Sequence, residues 1–421
     1  MTAQAETRFI PPFAARALSA LSDNSYLSAI RAGMVAIAPL TIVGGLFMII
    51  AFLPVRGWEE RIKGLLPLLQ IPVTATFGLL AVYACFAVAY DLGKRLKLDG
   101  LSSAIVALLV FLLISIDPQS GALNMDSLGS KGLFTAILVG LICPRVQRLF
   151  VDANLVVRMP KSVPEVVYES FLSLIPMCAL ALAFWVLRFW IGFDINAMTQ
   201  AAFKPLVVGL NTLPGILLYA FLVTLLWSIG INGDNTLDAI VAPIFLQFLA
   251  ANVEAMSAGA PLPYVTANGF FTTFVNVGGT GATIALAFVL LNSREPGFRK
   301  VSRLSLPTQV FQINEPIFFG LPIVLNPIFM IPYILSALLL TAGSYSLIAL
   351  GLIQKPFVNV PWTTPPIIGH YLVTGGDWKA AVWGAISILI AMAVYYPFAK
   401  IAEQRRLAAS ALEQSLGLSE K

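Results

Sequence analysis

The sequence predicts an all-α polytopic membrane protein with about ten transmembrane helices, and three observations carry that prediction. Hydrophobic residues make up 58% of the 421 and charged residues only 11%, whereas a soluble globular domain carries about 25% charged residues. Apolar stretches of roughly 20 residues or more recur along the chain, each long enough to cross a hydrocarbon core of about 30 Å as a helix. The alternation of apolar and polar residues that a membrane barrel requires is missing, so each segment in lipid must satisfy its own backbone groups as a helix.

Taken in order, the expected crossings are residues 28–53, 72–92, 102–117, 132–150, 168–193, 203–230, 236–252, 267–292, 322–350 and 379–399. The third and seventh are short enough to be tilted, broken or re-entrant. The first apolar run begins near Tyr26 and is too long for the core of a cleavable signal peptide. Basic clusters at Lys94, Arg95 and Lys97, at Arg145, Arg148, Arg158 and Lys161, at Arg294, Arg299, Lys300 and Arg303, and at Lys400, Arg405 and Arg406 all fall on one side of a ten-span chain. The positive-inside rule makes that side, and both termini, cytoplasmic. Trp58 with Arg56, Arg61 and Lys63 falls on the opposite side, so the rule is followed by majority.

The net charge of +5 is accounted for by those loops and does not call for a nucleic-acid partner. Cys85, Cys143 and Cys178 each lie inside an apolar segment without metal-site or disulfide spacing, and read as core packing. No metal or cofactor is implied. The stretch 150–167, "FVDANLVVRMPKSVPEVV", is the most polar internal connection and contains two prolines, which places a boundary there. Residues 1–165 then form a scaffold half, 166–400 a half in which polar groups interrupt the apolar runs, and 401–421 a tail.

Four interruptions stand out in the second half. "WSIGINGDNTLD", 227–238, sets Trp227, Asn232 and Asp234 among glycines that permit irregular backbone, which is tolerated at membrane depth where it is buried in protein or lines a wet cavity. "NVGGTGAT", 276–283, has small residues that allow close approach of a ligand or, equally, of another helix. "QINEPIFFGLPIVLNP", 312–327, puts Glu315 after Asn314 and before Pro316, and Pro316 with Pro322 breaks the segment. A carboxylate at bilayer depth costs roughly 2.5 to 3.5 kcal/mol on insertion scales, so it normally faces a cavity; the alternative is an arginine partner or a protonated packing role. "NVPWTTPPIIGHYLVTGGDW", 359–378, is an apolar loop with Trp362, Asp377 and Trp378. Aromatic faces combined with Asn, Asp and Glu suit a sugar, which presents flat C–H faces between rings of hydroxyls. Trp185 and Trp190 read instead as interfacial belt residues, and His370, the only histidine, as a loop residue contacting backbone.

"FQINEPIFFGLPIVLNPIFMIPYI", "VPWTTPPIIG" and "TGGDWKAAV" closely resemble the enzyme IIC membrane component of the bacterial sugar phosphotransferase system, in its lactose, cellobiose and diacetylchitobiose branch. "AIRAGMVAIAPLTIVGGLF", "AYDLGKRLKLDGLSSAIVALLVFLL", "GSKGLFTAILVG" and "MPKSVPEVVYESFLSLIP" extend the resemblance over nearly the whole chain. The resemblance implies a homodimer in the bacterial inner membrane, with dimer contacts in the amino-terminal half and the sugar held between re-entrant hairpins of the carboxy-terminal half. It implies alternating access, after which a phosphocysteine on a separate IIB protein, charged upstream by IIA, phosphorylates the sugar. The chain would be the membrane subunit of that phosphotransferase, without a phosphoryl-carrying residue of its own.

Glu315 aligns with the glutamate of the family's Asn-Glu-Pro segment and would orient, or accept the proton of, the hydroxyl that receives the phosphoryl group. Asn314, Trp227, Asp234, Trp362, Asp377 and Trp378 complete the expected sugar site. The family usually reads Gly-Ile-His-Gly where this chain has "GING", so Asn232 stands where a histidine contacts the same sugar. Asn donates and accepts hydrogen bonds but does not carry a proton near neutral pH. A competing expectation is therefore a facilitator or ion-coupled carrier uncoupled from phosphorylation; a sugar sensor is a third.

Overall fold

The computed structural model describes residues 24–52, 57–157, 171–321 and 323–415. Arg56, Arg158, Lys161, Pro322, most of the expected boundary at 150–167 and the last residues of the tail lie outside them. The described residues are almost entirely helical, with one isolated bridge between Ile116 and Leu123. In chain order the helices used below are α1 (Ser25–Ala51), α2 (Leu66–Thr76), α3 (Leu80–Arg95), α4 (Gly100–Ile114), α5 (Leu133–Asp152), α6 (Leu174–Trp185), α7 (Ile195–Leu210), α8 (Leu213–Ser228), α9 (Gly233–Ser257), α10 (Thr283–Leu290), α11 (Pro296–Gln309), α12 (Glu315–Gly320), α13 (Pro327–Ala349), α14 (Pro366–Val373) and α15 (Trp378–Ser415).

Seven stretches of the described residues are long and apolar enough to span a membrane: Ser25–Ala51, Leu66–Arg95, Ser130–Asp152, Gly233–Ser257, Phe270–Leu290, Pro327–Ala349 and Trp378–Ser410. The chain is therefore a multi-pass membrane protein. Leu174–Trp190 and Ile195–Leu210 meet at 86° and count as an eighth span if the bent pair is one crossing. This redraws part of the expected map. The run 203–230 is not one crossing, because the chain breaks at Asn211 and Thr212, and the Thr212 hydroxyl accepts the Gly215 N–H at 3.3 Å to start α8. At the 86° bend, Gly192 takes φ 72° and Arg188 pairs with Asp194 at 2.9 Å. Helix α4 has 15 residues, about 22 Å at 1.5 Å per residue, which falls short of the hydrocarbon thickness.

The described residues group into two compact units. The first takes the chain through Phe47, then Gly64–Val208 and Thr236–Pro261; the second takes Met48–Lys63, Gly209–Asn235 and the chain from Leu262 onward. Within the first unit α6 packs on α4 and α5: Leu180 and Ile195 share one core with Val106, Phe111, Val139 and Cys143. Small residues let those helices close up. A Cβ on Gly140 would stand 3.1 Å from the Cys85 carbonyl oxygen, and one on Gly93 would strike the Ser103 side chain at 2.6 Å. Cys85 and Cys143 are buried in this core as expected, whereas Cys178 is exposed on α6.

In the second unit, α13 packs against α8 and α15, and α15 also packs against α10 and α14. Asn326 caps α13 by accepting the Ile328 N–H at 3.1 Å. Fully buried Tyr333 and Tyr395 fill the middle, and the Tyr395 hydroxyl donates to the Gly281 carbonyl at 2.7 Å. That bond fixes the irregular segment before α10, where the functional residues gather.

Candidate functional site

The segment that leads into α10 is built to avoid a straight helix. A π-helical turn, Phe270–Val275, gives way to Gly278, Gly279, Gly281 and Ala282 with φ of 71°, 106°, 75° and 56°. Two of the glycines are required by contact as well as by φ. A Cβ on Gly279 would lie 2.4 Å from the Asn314 Cβ, and one on Gly281 would lie 2.3 Å from the Tyr333 ring.

Into this turn the Asn-Glu-Pro segment is stitched. The Gly278 and Gly279 N–H groups donate to Gln312 Oε1 at 2.8 and 3.2 Å, and Asn314 Nδ2 donates to the Thr280 carbonyl at 3.0 Å. Asn314 is the N-cap residue of α12, yet its side chain makes no capping bond because it is spent on Thr280. Glu315 follows as the first residue of α12, with Pro316 preset for the first turn. Its carboxylate is exposed, and among the described residues it makes no hydrogen bond or ion pair. Among the described residues no arginine pairs with it.

Asp234 ties the glycine-containing stretch 227–238 to the same turn. Its Oδ2 accepts from Trp227 Nε1 at 2.8 Å and from Thr280 Oγ1 at 2.7 Å, and its Oδ1 accepts from Asn276 Nδ2 at 3.4 Å. Trp227 is buried with its ring 5.1 Å from that of Phe318, edge to face. It packs as a core aromatic, not as an open stacking platform. Asn276 Oδ1 is buried without a partner, an orphan acceptor beside the carboxylate. Asn232 sits two residues before Asp234 and accepts the Asn235 N–H at 2.9 Å, the geometry of a cap on α9.

The fourth interruption packs on the π turn. Asn268 Nδ2 donates to Asn359 Oδ1 at 3.0 Å, and His370 stands edge-on to Phe274 with ring centroids 4.6 Å apart. His370 Nδ1 bonds the Pro366 carbonyl, the backbone contact expected of it. Burial pushes its imidazole down to about 4, so the ring is neutral at pH 7. Asp377 caps α15: it accepts from Lys379 N–H and Gln354 N–H, each at 2.9 Å. Trp362 and Trp378 are exposed.

The structure thus joins Trp227, Asp234 and Asn314 in one hydrogen-bonded cluster around Thr280, with Glu315 beside it. It gives Asn232 and Asp377 capping bonds, and shows no hydrogen bond from Trp362 or Trp378 to that cluster among the described residues. Sequence reasoning did not single out Gln312, Asn276 or Thr280 as site residues. All three were in the stretches it flagged, and the signal was a polar side chain beside paired glycines.

Broken helices that gather amides, a hydroxyl and a free carboxylate inside a multi-pass membrane unit define a transporter of small polar solutes. The profile of the phosphotransferase-system EIIC family matches residues 31–337. The chain is 35% identical to the cellobiose-specific EIIC component of Geobacillus stearothermophilus, over 92% of each chain. It is 34% identical to the lichenan permease IIC component of Bacillus subtilis (strain 168), over 92% of this chain and 91% of that one. Among solved structures, that of the transporter ChbC, the IIC component from the N,N'-diacetylchitobiose-specific phosphotransferase system, matches with a TM-score of 0.89 at 32% identity, over 96% of this chain and 99% of that one. The chain belongs to the phosphotransferase-system EIIC family of sugar permeases.

Proposed function

We propose that this permease binds a disaccharide or aromatic β-glucoside of the cellobiose, chitobiose and lactose class. It moves the sugar across the bacterial inner membrane by alternating access and presents it to a separate phospho-IIB protein, itself charged by IIA. The observation that carries this reading is Glu315: an exposed carboxylate with no partner among the described residues, at the start of a helix stitched to a turn rich in amides and hydroxyls. Such a group is free to take a sugar hydroxyl and to withdraw its proton as the phosphoryl group arrives. The names of the cellobiose-specific relative and of the chitobiose transporter support the sugar class.

The phosphoryl group comes from outside this chain in our reading. Cys85 and Cys143 are buried in a helical core, and Cys178 lies midway along an apolar helix, none of them a cytoplasmic thiolate positioned for transfer. The amino-terminal helices provide the contacts of a homodimer, and both termini are cytoplasmic. Purified protein in vesicles, given labelled cellobiose with and without phosphorylated IIB, tests the whole reading. Sugar phosphate is expected to accumulate only with the donor, and full-rate uptake of unmodified sugar without it rejects the proposal.

One observation favours a second reading, a facilitator or ion-coupled carrier. Asn232 stands where the resembling family has a histidine, and its side chain accepts a backbone N–H of α9. The vesicle assay separates the two.

A further inference from the structure

Gln312 has a conformation and a set of bonds that local structure does not require. Its φ is 68°, in the left-handed region that non-glycine residues rarely enter, and its side chain is buried. From there Oε1 accepts two consecutive N–H groups, of Gly278 and Gly279, while Nε2 donates to the Thr272 carbonyl at 3.3 Å. The amide therefore spans the irregular turn, with one end on the π turn and the other on the glycine pair. Two residues on, Asn314 grips Thr280 from the same strand of chain, in the space left by the missing Cβ of Gly279. Glu315 is the next residue.

We infer that Gln312 is a positioning residue: its amide locks the Gly278–Gly279 turn to the Asn-Glu-Pro segment and thereby sets where the Glu315 carboxylate stands relative to Asp234, Asn276 and Thr280. The inference rests on the proposed phosphoryl-transfer reading. Its physical basis is that without the amide the Gly278 N–H is unpaired and the Gly279 N–H keeps only the Asn276 carbonyl, at 3.1 Å, so the turn gains freedom to move, and Glu315, which has no partner among the described residues, is held through its chain neighbours. A ground-state sugar contact tolerates such freedom better than an in-line transfer does, since a displacement near 1 Å can cost on the order of 100-fold in rate.

The test uses the full-length protein in lipid nanodiscs with Gln312→Gly and Gln312→Glu. Glycine takes φ 68° without strain, so the backbone conformation is kept when the amide is removed, and glutamate keeps an acceptor for both N–H groups. Hydrogen exchange over 276–283, read without sugar or donor, is expected to quicken about 10-fold or more in the glycine variant and to return toward wild type in the glutamate variant. Transfer from phosphorylated IIB to cellobiose should fall about 10-fold or more in turnover, with cellobiose affinity changed by less than about 3-fold. Unchanged exchange, unchanged turnover, or a loss of affinity with turnover intact overturns the inference, the last by making Gln312 a direct sugar contact. If wild-type protein transfers no phosphoryl group, the proposed function fails, and the exchange arm still decides whether the clamp exists.

Discussion

Replacing Glu315 by Gln should separate function from folding. The carboxylate is exposed and accepts no hydrogen bond from the described residues, so stability should stay within about 0.5 kcal/mol of wild type. A sugar hydroxyl bonded to an ionised carboxylate is worth about 1.5 to 3 kcal/mol, which predicts an affinity loss of roughly 10- to 150-fold for cellobiose. If the carboxylate also takes the hydroxyl proton, transfer from phosphorylated IIB falls by a further factor of about 100 or more. Thermal unfolding in detergent, titration calorimetry with the sugar and a single-turnover transfer assay give the three numbers. A large drop in unfolding temperature would show that the carboxylate has a structural partner after all. Wild-type affinity in the variant would remove Glu315 from the site.

Three further substitutions have different signatures. Asp234→Ala removes the acceptor of all three donors, leaving Trp227 Nε1 and Thr280 Oγ1 unpaired; about 2 kcal/mol or more of stability should be lost, visible as a lower unfolding temperature, and an unchanged melt would refute the network. Gly279→Ala places a Cβ 2.4 Å from that of Asn314 at φ 106°, and should cost about 3 kcal/mol or displace the Asn-Glu-Pro segment enough to abolish cellobiose binding; normal binding and stability together would contradict the close approach. Asn232→His removes a good cap from α9, costing about 1 kcal/mol, and introduces a group that titrates near pH 6.5; the transfer rate should rise and acquire a pH dependence in that range, and a flat profile at the wild-type rate would show that this position does not reach the sugar.

What the sequence made legible follows from which physical signals are local. Hydropathy located the long helices, because a run such as Ser25–Ala51 has only one stable state in lipid. It merged 203–230 into one crossing because apolar residues flank the break, and the stop at Asn211 and Thr212 is a capping event of two residues inside an apolar background. The stretches around Asp234, Gly278 and Glu315 were legible as irregular. Their mutual contact was not, since the bonds Asp234–Thr280 and Gln312–Gly278 join residues 46 and 34 positions apart. Asp377 carries a signal that the sequence alone leaves double. Asp before a helix start is a capping signal and a sugar-binding residue type at once, and the structure uses it as a cap.

Asp234 and Glu315 look alike in sequence, each a carboxylate in an apolar run beside an Asn, and insertion cost alone treats them equally. Their donors distinguish them. Asp234 receives three, from Trp227, Asn276 and Thr280, so both its oxygens are engaged by the protein and its removal is a folding event. Glu315 receives none among the described residues, so its oxygens are left open to a substrate in the proposed function. In the proposed function a buried-network acid and an open acid divide the work: one fixes the turn, the other is offered to the sugar. A chain with only the first would hold the same shape with nothing to present to a sugar hydroxyl, and one with only the second would present it without a fixed direction. The glycine pair between them, gripped by Gln312 while Asn314 holds Thr280 beside it, links these two roles, and Gln312 is the place where a substitution should alter transfer without emptying the site.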